Sequence, residues 1–360
     1  NLEVDRINQA GGLKGRPIEL VVKDDRNDVE TARAVSAELG QDPRVVAVIG
    51  HYDAATAQAG AENYDRSGVV VYSPSVASSK FLSPSPWTFS GTYTDEAQAR
   101  NMAVYAWNVF GSTRVLGIHA DGIYGSASAK AFESKASRIG MRVDLLPFDE
   151  KAENPAPDLV RRGLPAGHLY DLAVIFSHAD TGIPVIQALR EAGYRGRIFA
   201  GDRVSSDVIQ KLDVKYKPGL FFSFPFHYDL ADFQAVDFLD HYEDRHKIEP
   251  SIWSGFAVDG LNLILDAIRR NGTERTSIRD TLASFGTPEK SFQGKTGRLY
   301  FDRDGAVVRS STVVRMSTPG DMFKPVHDQL KVVSDAHNLR QVDQKIKMGE
   351  FILADGVPYF

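Results

Sequence analysis

Two short apolar runs, VVAVIG at 45–50 and VVVY at 69–72, each break off into small and polar residues, with HYDAATAQAGAENYDRSG between them. Continuous β-branched runs suit strands covered on both faces, and the alanine-rich stretch has helical composition. The pattern is that of a βαβ unit. In open parallel sheets a ligand settles beyond the carboxyl ends of the strands, where loops and helix N-termini converge. His51 to Asp53 and Ser75 to Ser78 are therefore expected to be two strand-end loops forming half of a binding site.

The same rhythm extends along the chain. Leu2, Val4 and Ile7 share one helical face over Asn1–Ala10, which Gly11 and Gly12 stop. PIELVV at 17–22 reads as a strand ending in the acidic KDDRND, and Asp28 is placed to cap a helix over Val29–Leu39 closed by Gly40. A helix is predicted over Thr94–Phe110. From Arg114 the strands RVLGIHA, MRVDLLPF, DLAVIFS and RIFAG alternate with the helices GSASAKAFESKASRIG and ADTGIPVIQALREAG. GLFFSFPF follows, then helices over Leu230–Lys247, Ile252–Arg270 and Ser277–Phe285. GRLYFDRDGAVV and STVVRM suggest a hairpin around Asp304 and Gly305, and MGEFILADGVPYF reads as strand, turn, strand. The alternation falls into two blocks, near 16–112 and 113–224, which implies two similar α/β lobes.

Composition narrows the class. At 360 residues the chain can hold two cores, since single cores stop growing at roughly 250–300 residues. Hydrophobic residues at 42% and charged residues at 25% are ordinary globular values, which argues against disorder. A net charge of −5 without a basic cluster argues against nucleic acid as a partner. The absence of cysteine removes disulfides, thiolate metal sites and cysteine nucleophiles, and suits an extracytoplasmic bacterial protein. No run of about 18 apolar residues is present to span a membrane, and no signal peptide is visible. The chain carries no GxGxxG, GxSxG or HExxH. GKT at Gly294–Thr296 lacks the upstream glycine of a phosphate loop, its place being taken by Glu289. No enzyme, cofactor or metal is expected on these grounds, and KDDRND lacks the spacing of a calcium loop.

The phrases INQAGGLKGRPIELVVKDDRND, VVAVIG, VVVYSPSVAS, HADGIYGSA, ALREAGYRG and GDRVSS occur in this order over about 1–315. In this the chain resembles the leucine/isoleucine/valine-binding protein family, the type I periplasmic binding proteins of branched-chain amino-acid ABC transporters. The resemblance implies two doubly wound parallel-sheet lobes joined by a three-crossover hinge and closing on a small molecule. Lobe 1 would comprise 1–112 plus 226–305 and lobe 2 113–225 plus 306–317, with crossovers near Gly111–Arg114, Ser223–Phe226 and Asp302–Ser311. Residues 318–360 would form a C-terminal extension, longer than the family usually carries. The family's first strand, which precedes the opening helix, is absent from this sequence, and an N-terminal piece is expected to be missing.

The resemblance also implies roles for particular residues. Asp53 and Ala54 stand where hydroxyl residues usually hold the ligand carboxylate. Asp53 can cap the following helix, contact the ligand, or do both, and an anion there puts an ordinary α-amino acid in doubt. Tyr52 would wall the pocket or fill core space. Ser75, Val76 and Ser78 match a segment whose main chain and hydroxyl grip the ligand, although serines after a strand also serve as turn and cap residues. On the other lobe Tyr124 matches a tyrosine that closes over the ligand, and Asp202 an acid that pairs with its ammonium. His178 would face the cleft or solvent, Asp180 would cap a helix, and His51 and His119 would lie behind the ligand contacts. The implied partners are a small-molecule ligand, an amino acid or analogue, and the membrane permease of an ABC transporter, in the periplasm or another extracytoplasmic space. The alternative is the ligand-sensing domain of a membrane receptor, fused or partnered, on the same fold.

Overall fold

The computed structural model describes residues 1–82, 85–149, 151, 155–163, 169–204, 212–226, 233–309, 312–316 and 323–325. The chain divides into two units, Asn1–Thr94 with Ala231–Arg309, and Asp95–Leu230 with Ser310–Phe360. The expected extension over 318–360 lies outside the described residues except for 323–325.

The first unit opens with helices α1 (Leu2–Gln9) and α2 (Val29–Gln41), the latter capped by the Asp28 carboxylate on the Thr31 N–H at 2.8 Å. Strands β1 (Ala47–Ile49), β2 (Val70–Ser73) and β3 (Thr88–Ser90) form a parallel sheet in that order. Helix α3 (Ala54–Ser67) joins β1 to β2, as the alanine-rich composition predicts, and the single turn α4 (Ser79–Leu82) follows β2. Gly68 closes α3 in the left-handed conformation (φ 62°), where a side chain would be strained.

The PIELVV strand is not formed. Residues 17–22 belong to no strand, and Leu20, Val21 and Val22 are exposed. A strand exists only through a neighbouring ladder, and no described strand pairs with this segment. The Asn8 side chain holds it by the backbone, accepting from the Ile18 N–H at 2.7 Å and donating to the Ile18 carbonyl at 2.8 Å, and Arg44 lies 3.8 Å from the Glu19 carboxylate.

In the second unit come helix α5 (Asp95–Asn108), strand β4 (Arg114–Ala120), helix α6 (Ile123–Arg138), strand β5 (Arg142–Phe148), helix α7 (Ala156–Gly163) and strand β6 (Leu172–Phe176). Helix α8 (Ala179–Glu191) and strands β7 (Arg197–Gly201) and β8 (Leu220–Phe224) complete the βα alternation. The chain then returns to the first unit with α9 (Phe233–His246), α10 (Ile252–Asn271), α11 (Arg275–Ser284) and the antiparallel pair β9 (Phe292–Gly294) and β10 (Gly297–Leu299). The hairpin expected at Asp304 and Gly305 is reduced to a turn closed by one Phe301–Val307 bridge. Strands β11 (Thr312–Met316) and β12 (Phe323–Pro325) extend the second sheet, whose order is β12-β11-β8-β7-β6-β4-β5.

Both sheets are covered on two faces, and side-chain alternation shows it. Leu172, Val174 and Phe176 pack with α5 and α6, whereas Ala173 and Ile175 pack with α7 and α8. In the first unit Val70 and Tyr72 face α10 and α11, and Val69 and Val71 face α2 and α3. Ala99, Met102, Ala103 and Ala106 of α5 pack against Val115, Leu172 and Phe199. The boundary therefore falls at Thr94 and Asp95, ahead of the crossover expected near Gly111–Arg114. Chain order attaches this helix to the strands before it, but its buried face fits the sheet after it.

Candidate functional site

In the first unit the loops that leave β1 and β2 are bonded to each other. Ser73 Oγ donates to the His51 carbonyl at 2.8 Å and accepts from the Val76 N–H at 3.1 Å, while Ser75 Oγ donates to the Tyr52 carbonyl at 2.7 Å. Asp53 takes the N-cap position of α3, accepting the Ala55 N–H at 2.8 Å, so the capping role expected of it is present. Ala54 begins the helix and is exposed. The hydroxyl of Ser78 is bonded to no described residue, and its carbonyl accepts from the N–H groups of Phe81 and Leu82. Val76 is buried, so its side chain is a core element and only its main chain borders the loop.

Tyr52 is 71% exposed and meets Trp253, from the first turn of α10, edge-on at 6.5 Å. Sequence reasoning did not single out Trp253, which is 201 positions from Tyr52, and no local pattern marks such a contact. His51 is buried behind the loop, with Nδ1 2.6 Å from Asp25 and Nε2 3.2 Å from the Tyr64 hydroxyl. Gly60 makes room for it, because a Cβ there would stand 2.6 Å from His51 Nε2.

In the second unit the strand order β5-β4-β6-β7-β8 reverses direction between β4 and β6, and the crevice beyond their carboxyl ends is where such folds bind ligands. The loop after β4 leads into α6, whose first turn contains Tyr124, and the loop after β6 carries His178 at the N-cap of α8. The switch point thus brings the two rings together at 5.6 Å. His178 gives no side-chain cap, and Asp180 lies one residue inside the helix and accepts the Thr181 N–H, so Asp180 is not the cap expected. His119 is buried in β4 with Nδ1 2.8 Å from the Ala120 carbonyl.

Beyond β7 a 3₁₀ turn, Asp202–Val204, adds two opposite charges. Loss of hydration raises the Asp202 carboxyl to about 6; Asp95 adds to the rise, and bonds from the Gln98 side chain and the Arg203 N–H oppose it. Arg203 points elsewhere, with its Cζ 4.4 Å from the Tyr124 ring centre and Nη2 2.9 Å from Asp95. It was missed in the sequence because the matching motif draws attention to the acid beside it. Gly201 keeps the corner open, since a Cβ there would meet the Tyr124 hydroxyl at 2.7 Å and Gln98 Oε1 at 3.2 Å. Among the described residues no group of three or more His, Asp or Glu side chains is placed to hold a metal ion.

Both units thus carry loops gathered at the carboxyl ends of parallel strands, the arrangement of a binding fold. The family model described as periplasmic binding protein matches residues 1–321. The chain belongs to the periplasmic binding protein family. An amino acid binding protein of Pseudomonas aeruginosa is 27% identical over 207 residues, 56% of this chain and 54% of that protein, so the match spans about half of the relative's length. A leucine-, isoleucine-, valine-, threonine- and alanine-binding protein of the same organism is 21% identical over 308 residues, 84% of this chain and 80% of that protein. Among solved structures, the ABC transporter substrate-binding protein of Desulfitobacterium hafniense in complex with Leu superposes with a TM-score of 0.75. It is 23% identical, and the alignment covers 90% of this chain and 93% of that one. At that identity the likeness concerns the fold of a periplasmic binding protein, two doubly wound α/β units.

Proposed function

We propose that this chain is an extracytoplasmic solute-binding protein, not an enzyme, that captures a small polar ligand, an amino acid or amino-acid-like compound, and delivers it to the membrane permease of an ABC transporter. The observation that carries this reading is the Tyr124–His178 pair at the β4/β6 switch point, the place where a doubly wound sheet receives a ligand. The mutually bonded loops of Tyr52–Asp53 and Ser73–Val76 supply a second, pre-formed polar surface in the first unit. Membership of a family of periplasmic binding proteins supports both the extracytoplasmic location and the transport role. Within this reading Tyr52, Asp53, Ala54, Ser75, Val76, Ser78, Tyr124, His178 and Asp202 contribute ligand contacts.

The test is a ligand-dependent rise in unfolding temperature of the intact protein. A ligand at 100 times its Kd adds about 2.7 kcal/mol. Amino acids, their amides, aromatic acids and ureas form the panel. A flat response to every compound, confirmed by calorimetric titration, removes the solute-binding reading.

A further inference from the structure

Arg203 is held in an unusual way. Its Nη2 alone meets the Asp95 carboxylate, at 2.9 and 3.2 Å to the two oxygens, and its Cζ lies 4.4 Å from the centre of the Tyr124 ring. Among the described residues nothing accepts a hydrogen bond from Nε or Nη1, and the side chain is 42% exposed. A guanidinium offers five N–H donors in a rigid planar fork. The ring and Asp95 together fix the plane of that fork and leave one donor edge open. A half-exposed ion pair contributes little to folding, so stability does not account for the arrangement. Asp202 does not compete for the open edge, because its carboxylate is engaged by Gln98 and by the Arg203 backbone N–H.

We propose that Arg203 is a specificity-determining residue of the second unit and that its open edge takes a carboxylate of the solute, so that the ligand must carry a free acid group. This rests on the solute-binding reading above and deepens it. A carboxylate accepts two parallel N–H bonds from a guanidinium edge, which an uncharged amide or urea cannot reproduce. Tyr124 sets the angle of the fork, and His178 borders the same corner.

The experiment titrates the intact protein calorimetrically with acid and amide pairs: benzoate and benzamide, succinate and succinamide, L-leucine and L-leucinamide. The expected result is that at least one acid binds and its amide does not. Arg203→Met then weakens that acid by about 10- to 100-fold, while the ligand-free unfolding temperature stays within about 2 °C of the parent. Arg203→Lys, which keeps the charge and loses the fork, retains part of the affinity. Equal binding of acid and amide, or undiminished acid binding by Arg203→Met, overturns the proposal. Binding of amides or other uncharged solutes without any acid overturns it and leaves the solute-binding reading standing. If no compound binds at all, both fall.

Discussion

Replacing Arg190 by methionine should unfold the second unit at a markedly lower temperature. Arg190 is 6% exposed, in the last turn of α8, and its guanidinium serves four backbone carbonyls. Nη1 donates to Tyr194 at 2.9 Å and Gly196 at 2.8 Å, Nη2 to Pro218 at 2.6 Å, and Nε to Tyr216 at 3.5 Å. Tyr194 and Gly196 lead into β7, and Tyr216 and Pro218 lead into β8, so one side chain fastens the entries of two adjacent parallel strands. Burial lowers the pKa of this arginine, so removing the charge recovers some desolvation cost. That recovery is the best argument for a neutral outcome, since buried charges can sometimes be exchanged for apolar groups without loss. It fails here because methionine leaves the carbonyls in place and removes the donor they share.

A hydrogen bond to a charged group contributes roughly 1.5–3 kcal/mol. Three short bonds, less the recovered desolvation, give a net loss of about 3–5 kcal/mol. In a unit of this size each kcal/mol moves the midpoint by about 2–4 °C, so the fall should be roughly 6–20 °C. Scanning calorimetry of parent, Arg190→Met and Arg190→Lys is the assay. Lysine, with one compact ammonium, cannot span acceptors on both loops and should restore less than half of the loss. An Arg190→Met midpoint within about 2 °C of the parent would refute the argument.

Three further outcomes follow from local geometry. Asp53→Ala should cost about 1 kcal/mol through loss of the α3 cap while Asp53→Ser keeps it, as urea unfolding can measure; equal stabilities would show that the cap contributes nothing. Burial pushes the Asp259 carboxyl up to about 6, although Thr296 and the Lys295 N–H donate to it, so the folded protein holds that proton where the unfolded chain has released it. Stability from this group is greatest below about pH 4 and falls by up to about 3 kcal/mol as pH rises to about 6. Asp259→Asn should lack that fall, and an unchanged slope between those pH values would count against it. Gly125→Ala would place a Cβ 2.3 Å from the Ala120 carbonyl and 2.9 Å from that of Phe176. Both are backbone atoms that no rotamer change relieves, so the variant should lose native circular dichroism or solubility, and a parent-like melting curve would contradict the packing described.

Some strands were located to the residue, as with RVLGIHA for β4 and RIFAG for β7, whereas VVAVIG formed a strand only over Ala47–Ile49. Strand-end loops were legible because apolar runs stop abruptly. Strand β3 was not, since Thr88–Phe89–Ser90 is short and rich in hydroxyls. PIELVV shows the opposite failure, a convincing strand composition with no partner ladder to realise it. The site followed the same rule. Asp53 could be read as a cap from its place before a helix, but the turn of Arg203 towards Tyr124 depends on Asp95, 108 positions away. Local pattern reports what a residue can do, and distant neighbours decide which way it faces.

Arg190, Arg203 and Arg275 separate by the edge of the sheet on which they lie. Arg275, at the start of α11, donates to the carbonyls of Gly40, Asp42, Val45 and Ser67, which terminate α2 and α3 or precede β1. Arg190 does the same at the entries of β7 and β8. Those edges collect helix C-termini, where carbonyls and the negative end of the helix dipole make a cation stabilising. Arg203 lies at the opposite edge, beyond the carboxyl end of β7 and against the first turn of α6, among the carboxyl groups of Asp95 and Asp202 and not beside helix-terminal carbonyls. A cation adds no favourable dipole interaction there, and its pairing with Asp95 is half exposed. What it adds is a stronger attraction for anions at the one edge where a doubly wound sheet leaves room for a ligand.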